Sequence, residues 1–185
     1  MNFLKSFKKL EDIYIESYSL NSDKNKDFFD CVGDLLYTPE VQSLKQYPQH
    51  DKMDRLQHIT SVAYMSYRIS RRLRLDYIRA ARAATLHDLF YYDWHESDWS
   101  HRFHGFRHPK FAAVNAKTLC GDELDKRMEK MILRHMWPLT PLPPSSLEGF
   151  VLTMSDKYCA SKEMQYIKKA RKGKSVPIPY DAAAN

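Results

Sequence analysis

The amino-acid sequence predicts an all-α protein. Apolar residues recur with helical periodicity along nearly the whole chain, and only five of the 185 residues are glycine. No stretch of alternating β-branched residues is typical of a strand. Because 43% of the residues are hydrophobic, the chain can fill the core of one domain. We therefore expect a helical bundle.

The N-terminal third predicts three helices. The first 20 residues form an amphipathic pattern, which the polar stretch SLNSDKNKD ends. The pattern resumes over DFFDCVGDLLY, from Asp27 to Tyr37. Thr38 and Pro39 then provide the cap and first-turn proline that are typical of a new helix.

Two longer helices are predicted next. The first extends from Asp54 to Leu75, with its apolar side chains on one stripe. Asp76 caps the second, which is expected to end near Leu89. The aromatic and charged stretch from Tyr91 to Arg107 then predicts a loop beside a site.

The C-terminal half predicts three more helices. His108 and Pro109 indicate a start with proline in the first turn, and Gly121 indicates the end of that helix. Asp122 is the expected cap of the next helix, which Pro138 stops. After the stiff loop PLTPLPPSS, Ser145 or Ser146 is expected to begin the last helix.

Composition indicates a cytoplasmic protein. No apolar run is long enough to span a membrane, and the first 20 residues lack the pattern of a signal peptide. The cysteines Cys31, Cys120 and Cys159 have no CxxC spacing, so we expect reduced core residues.

The net charge of +6 does not favour a nucleic-acid partner. Residues 168–185 hold five basic residues and one acidic residue, which leaves +2 on the rest of the chain. We expect these terminal residues to be a solvated, frayed end. Three segments are predicted: an N-terminal helical extension (1–49), the main domain (50–165) and a basic tail (166–185). The sequence does not define the oligomeric state.

Six residues that can bind a metal ion fall on five successive predicted helices. They are His58, His87, Asp88, His108, His135 and Asp156. Helical bundles build metal sites in this way, from side chains that converge from facing helices. The set contains nitrogen and oxygen donors and no thiolate, which favours iron, manganese, cobalt or nickel over a structural zinc.

The order His58, His87-Asp88, Asp156 resembles the signature of the HD-domain superfamily of metal-dependent phosphohydrolases. His108 and His135 lie where the dinuclear branch of that superfamily has its second-metal ligands. The resemblance covers about residues 50 to 165. The branch that hydrolyses diadenosine tetraphosphate and related nucleotides is similar in layout and size, whereas the HD-GYP group is not indicated because no Gly-Tyr-Pro motif follows.

The resemblance implies an all-α HD-domain bundle, with the N-terminal helices as additions. It implies two divalent transition-metal ions, with iron favoured, and it makes Asp88 the bridge and catalytic residue. His58, His87 and Asp156 would complete one ion site, and His108 and His135 the other. A bridging water activated by both ions would attack the phosphorus of a nucleotide or other small phosphorylated metabolite.

Several alternatives stay open at this point. His108 could be a helix cap or a surface residue, and His135 could pack against Trp137. The site would then hold one ion, as in the mononuclear nucleotidase branch. Candidates for substrate phosphate are Arg102, Arg107, Lys110, Lys157 and His104. Glu96 or Asp98 could act as general acid, and Trp94, Trp99 and Phe103 could stack on a base.

Two other functions share the same ligand set. A few HD-fold proteins with two irons oxidise or cleave their substrate with oxygen. A regulatory module could also keep the fold without catalysis, although it would have no physical reason to retain six metal-binding groups.

Overall fold

The structure is a computed structural model that describes residues 3–51, 53–95 and 103–179, with side chains from residue 8 onward. It confirms the predicted all-α class. The α-helices of the described residues are α1 (Phe3–Glu16), α2 (Lys26–Leu36), α3 (Pro39–Gln42), α4 (Arg55–Arg72), α5 (Tyr77–Leu86), α6 (His104–Cys120), α7 (Lys126–Arg134) and α8 (Leu147–Ala170). Short 3-10 turns follow α3 and α6.

Helix α4 lies at the centre of the bundle, in contact with α1, α5 and α8. Its neighbour α5 is rich in alanine, and Ala80, Ala81, Ala83 and Ala84 are all fully buried. Small side chains let two helix backbones approach closely, so α4 and α5 form the tightest helix pair around the core. The close packing places the C-terminal end of α5 beside the first turn of α4.

The N-terminal helices α1 and α2 pack on this core. Tyr14 of α1 is buried, and its ring lies 6.1 Å from that of Tyr166 on α8. Phe28 of α2 meets Tyr64 of α4 edge to face, with 5.2 Å between ring centroids. Aromatic pairs of this geometry add stabilisation beyond the area they bury.

A small antiparallel ribbon precedes α4, where the sequence indicated no strand. Strand β1 (Pro48–His50) pairs with β2 (Met53–Asp54), and Asp51 between them has a φ of 55°. Aspartate tolerates this left-handed conformation better than most residues. Strands of two or three residues are too short to show an alternating pattern, which explains why the sequence did not reveal them.

Side-chain caps begin several helices where the sequence placed them. Asp54, Asp76 and Ser146 accept hydrogen bonds from the backbone N–H of Gln57, Arg79 and Gly149. Such caps satisfy N–H groups that have no partner within the helix. Thr38 caps α3 in the same way, and Gly121, with a φ of 55°, ends α6.

The predicted start of α6 at His108 and Pro109 is wrong. The helix begins one turn earlier, at His104, and Pro109 lies inside it. This first turn is held by the His108 imidazole, which donates to the His104 carbonyl at 3.1 Å. Gly105 lies close to Leu139, and a Cβ atom on it would lie 2.7 Å from Leu139 Cδ2, so the leucine side chain would have to shift.

The predicted cap of α7 is also wrong. Asp122 lies within a 3-10 turn (Gly121–Glu123) and is exposed. Asp125 has the extended backbone of a cap and accepts from the N–H groups of Arg127 and Met128, each at 2.8 Å. The cap therefore lies three residues later, immediately before the apolar face of the helix begins.

The last helix, α8, continues to Ala170 and so includes residues that the sequence analysis assigned to the basic tail. Beyond it, Ile178 is buried and Val176 packs against the core. This part of the tail therefore lies on the domain and is not frayed. No helix in the described ranges is long and apolar enough to cross a membrane.

Candidate metal centre

Six buried side chains from α4 and from the helices around it converge in one region of the bundle. His58 is the fourth residue of α4, and His87 and Asp88 follow the last residue of α5. The other three are His108 on α6, His135 at the C-terminal cap of α7, and Asp156 on α8. The structure thus brings together all six predicted ligands, none of them more than 9% exposed.

Three of these side chains form what we call the first half-site: His58, His87 and Asp156. Oδ1 of Asp156 lies 3.3 Å from Nε2 of His58 and 3.7 Å from Nε2 of His87. Nε2 of His87 also lies 3.7 Å from Oδ2 of Asp88. One carboxylate oxygen of Asp88 therefore faces the first half-site.

The second half-site consists of His108 and His135. Their Nε2 atoms lie 3.2 and 3.6 Å from the other oxygen of Asp88, Oδ1. The same two nitrogens are 2.9 Å from each other. Asp88 thus stands between the half-sites, with one oxygen toward each.

The other nitrogen of each imidazole fixes the orientation of the ring. Nδ1 of His87 and Nδ1 of His135 each lie 2.7 Å from the backbone carbonyl three residues earlier, of Ala84 and Ile132. Nδ1 of His108 faces the His104 carbonyl. A carbonyl can only accept, so each Nδ1 carries the proton and each Nε2 presents a lone pair to the site.

His58 is held by a carboxylate that the sequence analysis did not identify. Its Nδ1 donates to Oε1 of Glu163 at 2.8 Å, and Glu163 is fully buried. A carboxylate behind an imidazole fixes the tautomer and makes the ligand more basic. Glu163 follows Asp156 by seven residues, or two helical turns, so their shared face of α8 was the signal that could have revealed it.

The donor atoms of this cluster fit a metal ion. Nε2 of His58, Nε2 of His87 and Oδ1 of Asp88 are buried and have no hydrogen-bond partner among the described residues. Buried polar atoms are costly without a partner, which a cation would supply. Two nitrogens bound at about 2.1 Å to one ion at a right angle would be about 3.0 Å apart, close to the 2.9 Å between His108 and His135.

Electrostatics distinguishes the imidazoles of the two half-sites. Burial lowers the pKa of His58, but Glu163 and Asp156 outweigh it and hold the pKa well above its ordinary value. At His87, burial is likewise outweighed by Asp88 and Asp156, and the pKa is raised. At His135, burial together with the neighbouring imidazoles of His108 and His87 lowers the pKa to about 3.

The two aspartates are ionised in this environment. Burial alone would raise the pKa of Asp88, but the imidazoles of His87 and His108 hold it well below the ordinary value. Burial would likewise raise the pKa of Asp156, but the nearby imidazoles of His58 and His87 lower it. Burial raises the pKa of the nearby Cys159 thiol, so the available ligands are nitrogen and oxygen.

Among the predicted phosphate-binding residues, Lys157 lies nearest to the cluster. Its Nζ donates to the His135 carbonyl at 3.2 Å and lies 3.8 Å from Oδ2 of Asp156. The half-buried His104 ring stacks on that of His108, with 4.5 Å between centroids, and its Nδ1 lies 3.0 Å from the Tyr92 hydroxyl.

The other predicted residues lie further from the cluster or outside the described residues. Arg107 is exposed on α6 beside Phe111, and Lys110 lines a groove between α6 and α7. The Trp94 ring stacks on His104, so it packs next to the site, and Phe103 is exposed. The predictions on Arg102, Glu96, Asp98 and Trp99 fall outside the described residues.

Comparison with known families agrees with this geometry. The family model described as HD domain matches residues 55–161, which is more than half of the chain, and the protein therefore belongs to the HD domain family. Proteins with this domain are mostly metal-dependent hydrolases that bind divalent metals. No curated protein and no solved structure matched the chain.

Proposed function

We propose that this protein is a dinuclear metal-dependent phosphohydrolase that acts on a nucleotide or another small phosphorylated metabolite. One observation supports the proposal above all others. Six buried side chains converge in one cluster, and several of their donor atoms have no hydrogen-bond partner within the described part of the protein. A site that only stabilised the fold would pair these atoms with each other or bury apolar groups instead.

The arrangement of Asp88 favours two ions over one. Three groups of possible ligands, each with donor atoms within 4.8 Å of one another, can be drawn from the six residues. Asp88 belongs to two of them, one with His58 and His87 and one with His108 and His135. A carboxylate whose two oxygens face separate ligand sets is suited to bridge two ions.

The residues of the chain have distinct tasks in this proposal. Two bound divalent ions would activate a water for attack on phosphorus and neutralise the phosphate oxygens. The imidazoles, held by their Nδ1 protons, keep their lone pairs directed into the site without reorganisation. Lys157, placed beside Asp156 and partly exposed, is suited to contact a phosphate oxygen of the substrate.

The nitrogen and oxygen donors favour iron, with manganese, cobalt or nickel as other ions of the same preference. We place the activity in the cytoplasm, and we propose no membrane or nucleic-acid partner. The substrate class follows from the proposed phosphate chemistry and from the Lys157 ammonium group beside the cluster.

The test is the metal content of untagged protein purified without oxygen, followed by phosphate release from a panel of nucleotides on the same sample. We expect close to two transition-metal ions per chain and release of phosphate. Two irons without phosphate release would overturn the hydrolase assignment in favour of an oxygenase. One ion would overturn the dinuclear assignment, and a metal-free protein would leave only a regulatory role.

A further inference from the structure

Arg55 is the first residue of α4 and is fully buried without an acidic partner within 4 Å among the described residues. Its guanidinium donates instead to the backbone carbonyls of Phe90, at 2.7 Å, and Tyr92, at 3.1 Å. The same group lies 3.5 Å from the centre of the Phe90 ring. Burial of a charge without a counter-ion is costly, so this arrangement indicates a specific role.

Another donor of Arg55 leads to the metal centre through Gln49. Nε of Arg55 donates to Oε1 of Gln49 at 3.2 Å, and Nε2 of Gln49 donates to Oδ2 of Asp88 at 3.2 Å. Because the arginine can only donate, the amide must present its oxygen to Arg55 and its NH₂ group to Asp88. Gln49 comes from β1 and is only 8% exposed.

We propose that Gln49 and Arg55 are positioning residues for the carboxylate of Asp88. The inference rests on the proposed dinuclear function. The hydrogen bond to Oδ2 prevents rotation of the carboxylate, so Oδ1 stays directed at His108 and His135 while Oδ2 stays directed at His87. The pair thereby pre-organises the bridge for two ions.

The use of a glutamine between the two charges has a physical reason. A guanidinium paired directly with Asp88 would neutralise the carboxylate and compete with the metal ions for its oxygens. The amide orients the carboxylate and leaves its negative charge in place. Arg55 in turn fixes the amide and, through the carbonyls of Phe90 and Tyr92, the segment that follows Asp88.

The test is binding of Mn²⁺ to metal-free protein, followed through the EPR signal of free Mn²⁺. Gln49→Met keeps the size of the side chain and removes both of its hydrogen bonds. We expect this variant to raise the Kd for Mn²⁺ by about 10- to 100-fold. The matched control is Gln57→Met, because the Gln57 amide donates to Ser17 and Ser61, away from the metal centre.

Unfolding of the metal-free variants separates positioning from general stability. We expect Gln49→Met and Gln57→Met to have similar melting temperatures, while only Gln49→Met loses Mn²⁺ affinity. An unchanged Kd in Gln49→Met would overturn the inference and leave the proposed function intact. If the wild-type protein bound neither Mn²⁺ nor iron, the proposed function itself would fail.

Arg55→Lys tests whether the arginine acts through the glutamine. If it does, the Kd for Mn²⁺ of the double variant Gln49→Met/Arg55→Lys equals that of the single variant with the larger loss of affinity. Additive losses would show that Arg55 acts independently and would overturn the pairing. Should Arg55→Lys fail to fold, as judged by circular dichroism, the comparison of Gln49→Met with Gln57→Met still decides the role of Gln49.

Discussion

The two half-sites of the metal centre differ in what holds their ligands. In the first, Asp156 supplies a carboxylate of its own, and the buried carboxylate of Glu163 lies behind His58. In the second, the Nδ1 atoms of His108 and His135 face backbone carbonyls, and no carboxylate of the described residues lies behind either ring. Negative charge is therefore concentrated around the first half-site.

This difference predicts unequal ion sites built on one shared bridge. A carboxylate ligand and a carboxylate behind an imidazole both favour a cation, so we expect the first half-site to bind its ion more tightly. The second half-site has no carboxylate ligand of its own among the described residues and depends on Asp88 for its negative charge. The following variants test this inequality, beginning with the shared residue.

Asp88→Asn has the largest expected effect, because it removes the charge that both half-sites share. We expect loss of both ions and of several kcal/mol of transition-state stabilisation, or about a 10³-fold or larger fall in phosphate release. Metal analysis and a phosphate assay measure the two losses. Asp122→Asn, at an exposed position, is the control. Retention of two ions by Asp88→Asn would contradict the bridge.

His135→Ala should separate the half-sites. We expect it to lose the second ion and keep the first, with a fall in turnover of about 10²-fold or more. His58→Ala should weaken the first half-site, so the two variants together show which ion is bound more tightly. Titration with Mn²⁺ gives the number of ions and their Kd values. If His135→Ala kept two ions and full turnover, the dinuclear assignment would be wrong.

The fold class and the six clustered side chains could be predicted from the sequence because both depend on local patterns. Each of the six residues lies on or at the end of a helix whose periodicity is visible, and histidine and aspartate are themselves the ligand types. The start of α6 at His104 was missed, because proline at position 109 is typical of a first turn. The helix nevertheless begins one turn before that local signal.

The supporting residues could not all be predicted. Glu163 shares a helix face with Asp156, so its spacing gave a usable signal. Gln49 lies in a ribbon too short to recognise, and its contact with Asp88 joins positions 39 residues apart. Arg55 resembles a solvated residue at a helix start, and only the tertiary fold shows that it is buried.

Glu163→Gln tests the carboxylate behind the first half-site. Glutamine can still accept the Nδ1 proton of His58 but carries no charge, so we expect the Kd of the tighter ion to rise about 10-fold. Glu163→Leu also removes the acceptor and should have a larger effect, toward about 100-fold. Glu148→Gln, near the start of the same helix, is the control. If Glu163→Gln raised the Kd values of both ions equally, the proposed distinction between the half-sites would be wrong.

The pH dependence of Mn²⁺ binding is the smallest expected effect. It tests the difference between the two half-sites without a mutation. The raised pKa values of His58 and His87 mean that, without metal, these imidazoles hold protons above their usual pKa of about 6.5. An ion must displace those protons, so affinity at the first half-site should rise with pH above about 6.5 until the imidazoles are neutral. His135, with a pKa of about 3, is already neutral there.

Calorimetric titration in buffers of different ionisation enthalpy measures the protons released on binding. We expect proton release with the tighter ion and little from His135 with the weaker one. His58→Ala should reduce the release, because it removes one of the two imidazoles that are protonated in the metal-free protein. Protons and metal ions compete at the first half-site for the same Nε2 lone pairs. Equal proton release for both ions, or none for either, would therefore contradict the conclusion that the imidazoles of the first half-site are the ones protonated in the metal-free protein.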